Sequence, residues 1–270
     1  MLRIFIPCCN RPSFIEKQVT SFNHFLKDEF EMIILNDGSS DFLRNKIAQE
    51  CDKLQIQNII PPRNINRFDP SNSHASVLNW AYNHIILEKY NNDIILFADS
   101  DIFMVREYLI EESLAGNHFA ALPQNRGHID YYQPNMMFID MKNLPNKNAL
   151  NFSPALIGGY QTDTGGSTHY YIKDNPDLKI KDLIHTSHIK PENNNMHVLP
   201  EAALSGFNPE FGIEIYESSF LHYGAASNWN VSFLSPQDFF PTKTRYVFSL
   251  VDKCVSGEIV MEKNNFKFEG

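Results

Sequence analysis

Two aspartates, Asp99 and Asp101, stand one residue apart directly after the apolar run 94–98. At the end of a strand, such a pair can aim oxygens from both carboxylates at one point if the strand is still extended there. Carboxylate oxygens suit hard divalent cations such as Mg²⁺ and Mn²⁺, which also bind diphosphates. The spacing therefore indicates a divalent-metal site that would receive a diphosphate. The same pair could instead cap a turn after the strand by accepting backbone N–H bonds.

A third metal ligand is expected from the second half of the chain. Two carboxylates leave an octahedral ion short of protein contacts. His222 lies near the end of the apolar segment 211–224, where Tyr223 and Gly224 follow it, and it ranks first among the ten histidines as a candidate ligand. The alternative is that His222 only satisfies a local hydrogen bond.

The first hundred residues alternate short apolar runs with stretches of helical periodicity. The pattern predicts strands at 2–7, 30–37, 56–62 and 93–101, separated by helices at 13–27, 41–54 and 74–90. Such alternation predicts an α/β fold with a mostly parallel central sheet and helices on both faces. Beyond residue 105 it predicts a helix near 106–115, strands at 118–123, 135–141 and 211–224, and a polar loop around 173–198.

Polar residues follow each of the four predicted parallel strands. They lie in the segments 7–11, 36–41, 61–63 and 99–101. Because ligands bind at the carboxyl ends of the strands in open α/β sheets, these segments should meet at one binding edge. The segment "NDGSSD" at 36–41 could also be only a turn, since Asn, Asp, Gly and Ser are turn residues.

Four of these motifs together resemble a known family. They are "IFIPCCNRPSFIEKQVTSF", "IILNDGSSD", "SNSHASVLNWAYNHI" and the D-x-D at 99–101, in that order within residues 3–105. The chain thus resembles a nucleotide-sugar-dependent glycosyltransferase of the GT-A (Rossmann-like) fold. The resemblance implies that Asp37 binds the base or ribose, that Asp99 and Asp101 hold ribose and metal, and that a late histidine, His222, is the metal ligand. The other donor-binding candidates are Pro7, Asn10, Arg11, Arg63, Ser76 and Ser100.

The second half supplies candidates for the sugar and the acceptor. Gln133 and Asn135, in a segment that resembles an element near the donor sugar, and Trp229 are candidate sugar contacts. Asp163 precedes a glycine pair and a predicted helix start, so it could be a helix N-cap or a general base. Inverting relatives carry a carboxylate in this region, which makes Asp163 the candidate catalytic base. The first half resembles inverting enzymes and "HYGAASNW" resembles retaining ones; inversion is preferred.

The composition of the chain limits the classes of partner that the protein is expected to bind. The 270 residues carry a formal net charge of -9 without a cluster of Lys and Arg, which argues against nucleic acid as the main partner. No stretch approaches 18 uninterrupted apolar residues, so no transmembrane segment is predicted. The four cysteines lack CxxC pairs and are expected to be reduced in the cytoplasm, with peripheral membrane association left open. The chain is interpreted as one domain, 1–270, with a nucleotide-sugar half at 1–105 and an acceptor half at 106–270.

The leading hypothesis is a glycosyltransferase that uses Mn²⁺ or Mg²⁺. It would transfer a sugar from a UDP- or GDP-sugar donor to a saccharide acceptor, in polysaccharide or glycoconjugate biosynthesis. One alternative is a sugar-phosphate nucleotidyltransferase, but "PCCNRPS" lacks the glycines that this class places after the first strand. Another is an inactive carbohydrate- or nucleotide-binding domain.

Overall fold

A computed structural model describes residues 1–63, 69–125, 129–189, 213–224, 241–262 and 265–268. Trp229 lies outside the described residues, so its proposed sugar contact stays a prediction. In the described part of the chain, no helix is both long and apolar enough to cross a membrane.

The elements follow one another as short strands and helices. The strands are β1 (Leu2–Cys8), β2 (Phe30–Asn36), β3 (Gln57–Ile59), β4 (Ile94–Ala98), β5 (Ile102–Met104), β6 (Phe119–Asn125), β7 (Asp130–Asp140), β8 (Leu156–Ile157), β9 (Tyr160–Gln161), β10 (Ile180–Asp182), β11 (His185–Ile189), β12 (Ile213–Tyr216), β13 (Phe220–His222), β14 (Ile259–Glu262) and β15 (Asn265–Phe268). The α-helices are α1 (Pro12–Phe25), α2 (Asp41–Leu54), α3 (Pro70–Ala81), α4 (Leu87–Lys89), α5 (Ile110–Leu114), α6 (Thr168–Asp174) and α7 (Pro241–Val255). A π-helical turn, Tyr82–Ile86, joins α3 to α4.

Seven strands form the central sheet, in the order β10-β6-β7-β4-β1-β2-β3. Strands β4, β1, β2 and β3 run parallel to one another, and β10 runs parallel to β6. Strand β7 is antiparallel to both of its neighbours, β4 and β6. The prediction of an α/β fold with a mostly parallel sheet is therefore confirmed.

Both faces of this sheet are covered by helices. Alternate residues of β1 point to opposite faces, as a strand requires. Ile4 and Ile6 pack into a core with α1 and α2, whereas Phe5 packs into a second core that includes Leu78 and other residues of α3. Because both faces of β1 are buried, its sequence is an almost continuous apolar run.

A second, four-stranded sheet lies beside the first and connects distant parts of the chain. Its order is β11-β12-β13-β5, and all of its pairs are antiparallel. Strand β5 follows β4 after only three residues, so the chain leaves the central sheet at residues 99–101 and enters this smaller sheet. The D-x-D motif therefore occupies the junction between the two sheets.

Several predicted elements differ from the observed ones. The single strand predicted at 211–224 is wrong within its described part: it is a hairpin, β12 and β13, because Glu217 and Ser218 take left-handed backbone angles and reverse the chain. The predicted polar loop around 173–198 contains strands β10 and β11. The helix predicted at 106–115 is the single turn α5, and the helix predicted to begin at residue 74 begins at Pro70.

Candidate active site

The D-x-D motif forms a turn rather than a strand end. Strand β4 ends at Ala98, and the N–H of Ile102 donates a hydrogen bond to the Asp99 carbonyl (3.2 Å). The Asp99 N–H donates to the carbonyl of Asn135 on β7 (2.8 Å), which anchors the turn to the central sheet. The backbone is therefore not extended at Asp99 and Asp101, so the condition for aligning their carboxylates along a strand is not met, and the turn brings them together instead.

His222 reaches this turn because of strand pairing. Strand β13 pairs with β5 so that His222 lies opposite Ile102, the residue after Asp101. The N–H of Tyr223 donates to the Asp101 carbonyl (2.9 Å), and the His222 Nε2 atom lies 3.4 Å from Asp101 Oδ1. Ligand atoms of Asp99, Asp101 and His222 all lie within 4.8 Å of one another. This set of two carboxylates and one imidazole fits a divalent cation such as Mn²⁺.

The other side of the His222 ring is also occupied. Its Nδ1 atom lies 2.8 Å from Glu214 Oε2 and 2.8 Å from the Tyr216 hydroxyl, both on β12. Burial alone would lower the pKa of His222, but the Asp101 and Glu214 carboxylates raise it to about 10. Burial alone would raise the pKa of Glu214, but its bonds with His222 and Tyr216 lower it to about 2. Charge and hydrogen bonding therefore hold the ring between two carboxylates.

A cavity of about 330 Å³ opens above this group at the carboxyl edge of the central sheet. Its lining residues come from the ends of β1, β2 and β4, from the first turns of α3, from β7 and from the loop before α6; they are Pro7, Cys8, Cys9, Asp37, Pro70, Ser71, Ser73, His74, Val77, Asp99, Ser100, Asp101, Gln133, Pro134, Asn135, Asp163, Thr164 and His222. Most of the predicted site residues therefore line this one cavity.

Four of the predicted donor-binding residues are placed elsewhere. The Arg63 side chain is 64% exposed and pairs with Asp41, away from the cavity lining. The Ser76 hydroxyl donates to the backbone carbonyl four residues earlier in α3 (2.7 Å). Arg11 is buried over the Phe14 ring (5.7 Å), and Asn10 accepts a bond from the Cys9 thiol (3.2 Å).

His74 on α3 is a site residue that the sequence analysis missed. Its Nε2 atom lies 3.1 Å from Asp99 Oδ1, so an imidazole contacts each carboxylate of the D-x-D motif. Burial opposes protonation of His74, but Asp99 and the more distant Asp163 and Asp101 raise its pKa above the usual value. Helical spacing in the sequence could have identified His74, because Ser71, His74 and Val77 all line the cavity from one face of α3.

Asp163 lies across the cavity from β4, in the turn before α6. Its Oδ1 atom accepts bonds from the Ser71 hydroxyl and from the Thr164 N–H (2.7 Å). Helix α6 begins at Thr168, with Ser167 before it, so the Asp163 carboxylate does not cap this helix. Within the described residues, its second oxygen, Oδ2, accepts no hydrogen bond. In the described part of the chain, the hydrogen bonds that hold this carboxylate are therefore made through Oδ1.

Sequence comparison finds a family that is similar to the first part of the chain. Residues 3–117 match the family described as Glycosyl transferase family 2. The match includes the D-x-D turn and α3, and it confirms the resemblance to GT-A glycosyltransferases on which the donor-site assignment depends. No curated protein sequence matches the chain at a significant level.

Solved glycosyltransferase structures show limited similarity to this chain. The galactosyltransferase LgtC, in complex with donor and acceptor sugar analogs, is 15% identical, with a TM-score of 0.33 and coverage of 52% of this chain and 58% of LgtC. Staphylococcus aureus TarS in complex with UDP is 15% identical (TM-score 0.36; 56% and 49%). Streptococcus pneumoniae GlyE is 12% identical (TM-score 0.43; 94% and 62%). This chain therefore covers less than two thirds of each of these three proteins.

The segment that matches this family, residues 3–117, contributes acidic groups to the cavity. Asp37, Asp99 and Asp101 line it from this region, and Asp163 adds a fourth carboxylate from outside. In the described part of the chain, neither Lys nor Arg is among the lining residues. A diphosphate entering this cavity would be repelled unless a cation neutralised the carboxylates. The electrostatics therefore agree with the metal set of Asp99, Asp101 and His222.

Gly165 sets the position of the Asp163 turn, which leads to a prediction about stability. Its φ is +93°, and a Cβ atom there would lie 2.1 Å from the Tyr132 carbonyl on β7. Gly165→Ala should therefore lose about 1–2 kcal/mol from the left-handed backbone and a further ~1–3 kcal/mol from the steric clash. Urea unfolding would measure the change in the free energy of unfolding.

Gly159 provides the matched control for this variant. Its φ is +86°, but the space around its would-be Cβ is open within 4 Å in the described structure. Gly159→Ala should therefore lose only the backbone contribution, about 1–2 kcal/mol. Equal losses in the two variants would contradict the close approach of Gly165 to β7.

Proposed function

We propose that the protein is a metal-dependent glycosyltransferase that moves a sugar from a nucleoside diphosphate donor to a saccharide acceptor. The observation that carries this proposal is the convergence of Asp99, Asp101 and His222 on the floor of the cavity. The family 2 match to residues 3–117 supports the donor class. A role in polysaccharide or glycoconjugate biosynthesis follows from a saccharide acceptor and belongs to the same proposal.

In this proposal the two halves of the chain have separate tasks. Residues 1–105 bind the donor nucleotide: Asp37, whose buried side chain lines the cavity, contacts the base or ribose, and Asp99 contacts the ribose or the cation. Residues 106–270 bind the donor sugar and the acceptor. Gln133 and Asn135 lie at the bulged part of β7, line the cavity and contact the sugar. A β-bulge commonly redirects side chains toward a site in this manner.

The bond-breaking step needs charge stabilisation and proton transfer. When bound, a divalent cation neutralises the negative charge that develops on the leaving diphosphate. Asp101 and His222 would hold that cation, and Asp99 would contact either the cation or the donor ribose beside it. Asp163 accepts the proton from the acceptor hydroxyl at Oδ2, which favours inversion at the sugar carbon.

The function is tested by calorimetric titration of the protein with nucleoside diphosphates. We expect UDP or GDP to bind at least about tenfold more tightly with Mn²⁺ than with EDTA, a difference of about 1.4 kcal/mol. The matching nucleoside monophosphate serves as the control, because it lacks the second phosphate and should gain much less from the metal. The proposal would be overturned if Mn²⁺ left the affinity for every nucleoside diphosphate unchanged.

The same preparation distinguishes this function from the nucleotidyltransferase alternative. A glycosyltransferase releases a nucleoside diphosphate from a nucleotide sugar. A nucleotidyltransferase instead releases pyrophosphate from a nucleoside triphosphate and a sugar 1-phosphate. Diphosphate binding without either release would indicate an inactive binding domain.

A further inference from the structure

Glu214 is not among the residues that line the cavity, but it contacts His222, the imidazole of the candidate metal set. Strand pairing puts Glu214 directly opposite His222 on the antiparallel pair β12 and β13. The His222 Nδ1 atom lies 2.8 Å from Glu214 Oε2, while its Nε2 atom lies 3.4 Å from Asp101 Oδ1. The ring therefore bridges a carboxylate outside the cavity and a carboxylate inside it.

The hydrogen-bond pattern determines which nitrogen carries a hydrogen. The Tyr216 hydroxyl donates its only proton to Glu214 Oε2, so its oxygen can only accept from the His222 ring, 2.8 Å away. Both groups at Nδ1 are thus acceptors, and Nδ1 must be the donor. The lone pair available to a metal is consequently the one on Nε2, which faces Asp101. The His185 Nε2 atom lies 3.8 Å from the other carboxylate oxygen, Glu214 Oε1.

We propose that Glu214 is a positioning residue of the metal site: through His222 Nδ1, it fixes the ring orientation and tautomer that present Nε2 to a divalent cation between Asp99 and Asp101. This inference rests on the proposed metal-dependent function. Metal-bound histidines commonly donate their second N–H to a carboxylate, which orients the ring and makes the ligating nitrogen more basic. Removing such a partner typically weakens metal affinity ten- to a hundredfold.

The proposal also predicts which metal is affected. An imidazole nitrogen favours Mn²⁺ relative to Mg²⁺, which prefers oxygen ligands and retains its waters. A misplaced His222 should therefore weaken Mn²⁺ binding more than Mg²⁺ binding. A change in general stability would instead weaken both to a similar extent.

The experiment measures the dissociation constants of Mn²⁺ and Mg²⁺ for the full chain, by electron paramagnetic resonance of free Mn²⁺ and by competition with Mg²⁺. Glu214→Ala should raise the Mn²⁺ dissociation constant ten- to a hundredfold and reduce the preference for Mn²⁺ over Mg²⁺. The nearly isosteric Glu214→Gln keeps an acceptor for Nδ1, so its effect should be smaller but in the same direction. If Glu214→Ala does not fold, the Mn²⁺ affinity of Glu214→Gln tests the positioning role by itself.

Two control variants separate the possible outcomes. Glu217→Gln changes a carboxylate of the same hairpin that contacts Ile184, Tyr108 and Lys181 rather than the metal set, so it should leave both affinities within about twofold. His222→Ala should reproduce the full loss. Unchanged Mn²⁺ affinity in both Glu214 variants, beside a weakened His222→Ala, would overturn the positioning role alone. Wild-type protein that binds no Mn²⁺ would overturn both this role and the proposed metal dependence.

Discussion

Asp101→Asn should lower the rate of sugar transfer by a factor on the order of 10²–10³, the cost of removing one group that stabilises developing charge. Asp101 is buried, and its Oδ1 atom lies 3.4 Å from His222 Nε2. An amide keeps the shape of the side chain but removes the negative charge and one oxygen ligand. The measurement is the release of nucleoside diphosphate from the nucleotide sugar whose diphosphate binds most tightly.

The backbone around Asp101 should tolerate this change. Its carbonyl accepts the Tyr223 N–H, and this bond does not depend on the side chain. The circular dichroism spectrum of Asp101→Asn should therefore match that of the wild type, while the loss of the charge pair with His222 should lower its melting temperature. Asp177→Asn is the matched control, because Asp177 is exposed and lies outside the cavity lining. Full turnover by Asp101→Asn would remove Asp101 from the metal site.

Local signals in the sequence were sufficient to predict the site residues that come from successive strands in the first half of the chain. Helix α2 spans the predicted residues 41–54, because its amphipathic pattern is preceded by Ser40, whose hydroxyl accepts the Leu43 N–H (3.2 Å). Parallel pairing of β1, β2 and β4 then brings Pro7, Asp37 and Asp99 to one edge. Topology alone was enough for these positions, since each residue lies at the carboxyl end of a strand or directly after it.

The remaining site residues depend on pairings between distant segments. Glu214 could not be recognised from the sequence, because its role requires the β12–β13 hairpin, and the left-handed turn at Glu217 and Ser218 lacks the Gly or Asn that usually marks such a turn. His74 depends on the packing of α3 beside β4. Arg63 is not among the residues that line the cavity, because it follows β3, the outermost strand of the central sheet, and its side chain is exposed to solvent there.

Asp163→Asn should reduce the turnover number by a factor of about 10²–10⁴, the usual contribution of a positioned general base. Its affinity for Mn²⁺ and the nucleoside diphosphate should stay within about twofold of the wild type, because Asp163 is not part of the metal set. Steady-state transfer kinetics and calorimetry on the same preparation measure the two effects separately. A loss of donor affinity with an unchanged turnover number would instead assign Asp163 to the donor sugar hydroxyls.

The hydrogen bonds of Asp163 allow positioning to be separated from proton transfer. Ser71→Ala removes the hydroxyl that holds Oδ1 but leaves the Thr164 N–H bond and the free Oδ2 in place. Losing one such bond to a charged group costs about 1.5–3 kcal/mol, so Ser71→Ala should slow turnover by less than Asp163→Asn does. In the double variant, the serine change should add almost nothing, because it acts only through the carboxylate. Additive losses would mean that Ser71 contacts the substrate independently of Asp163.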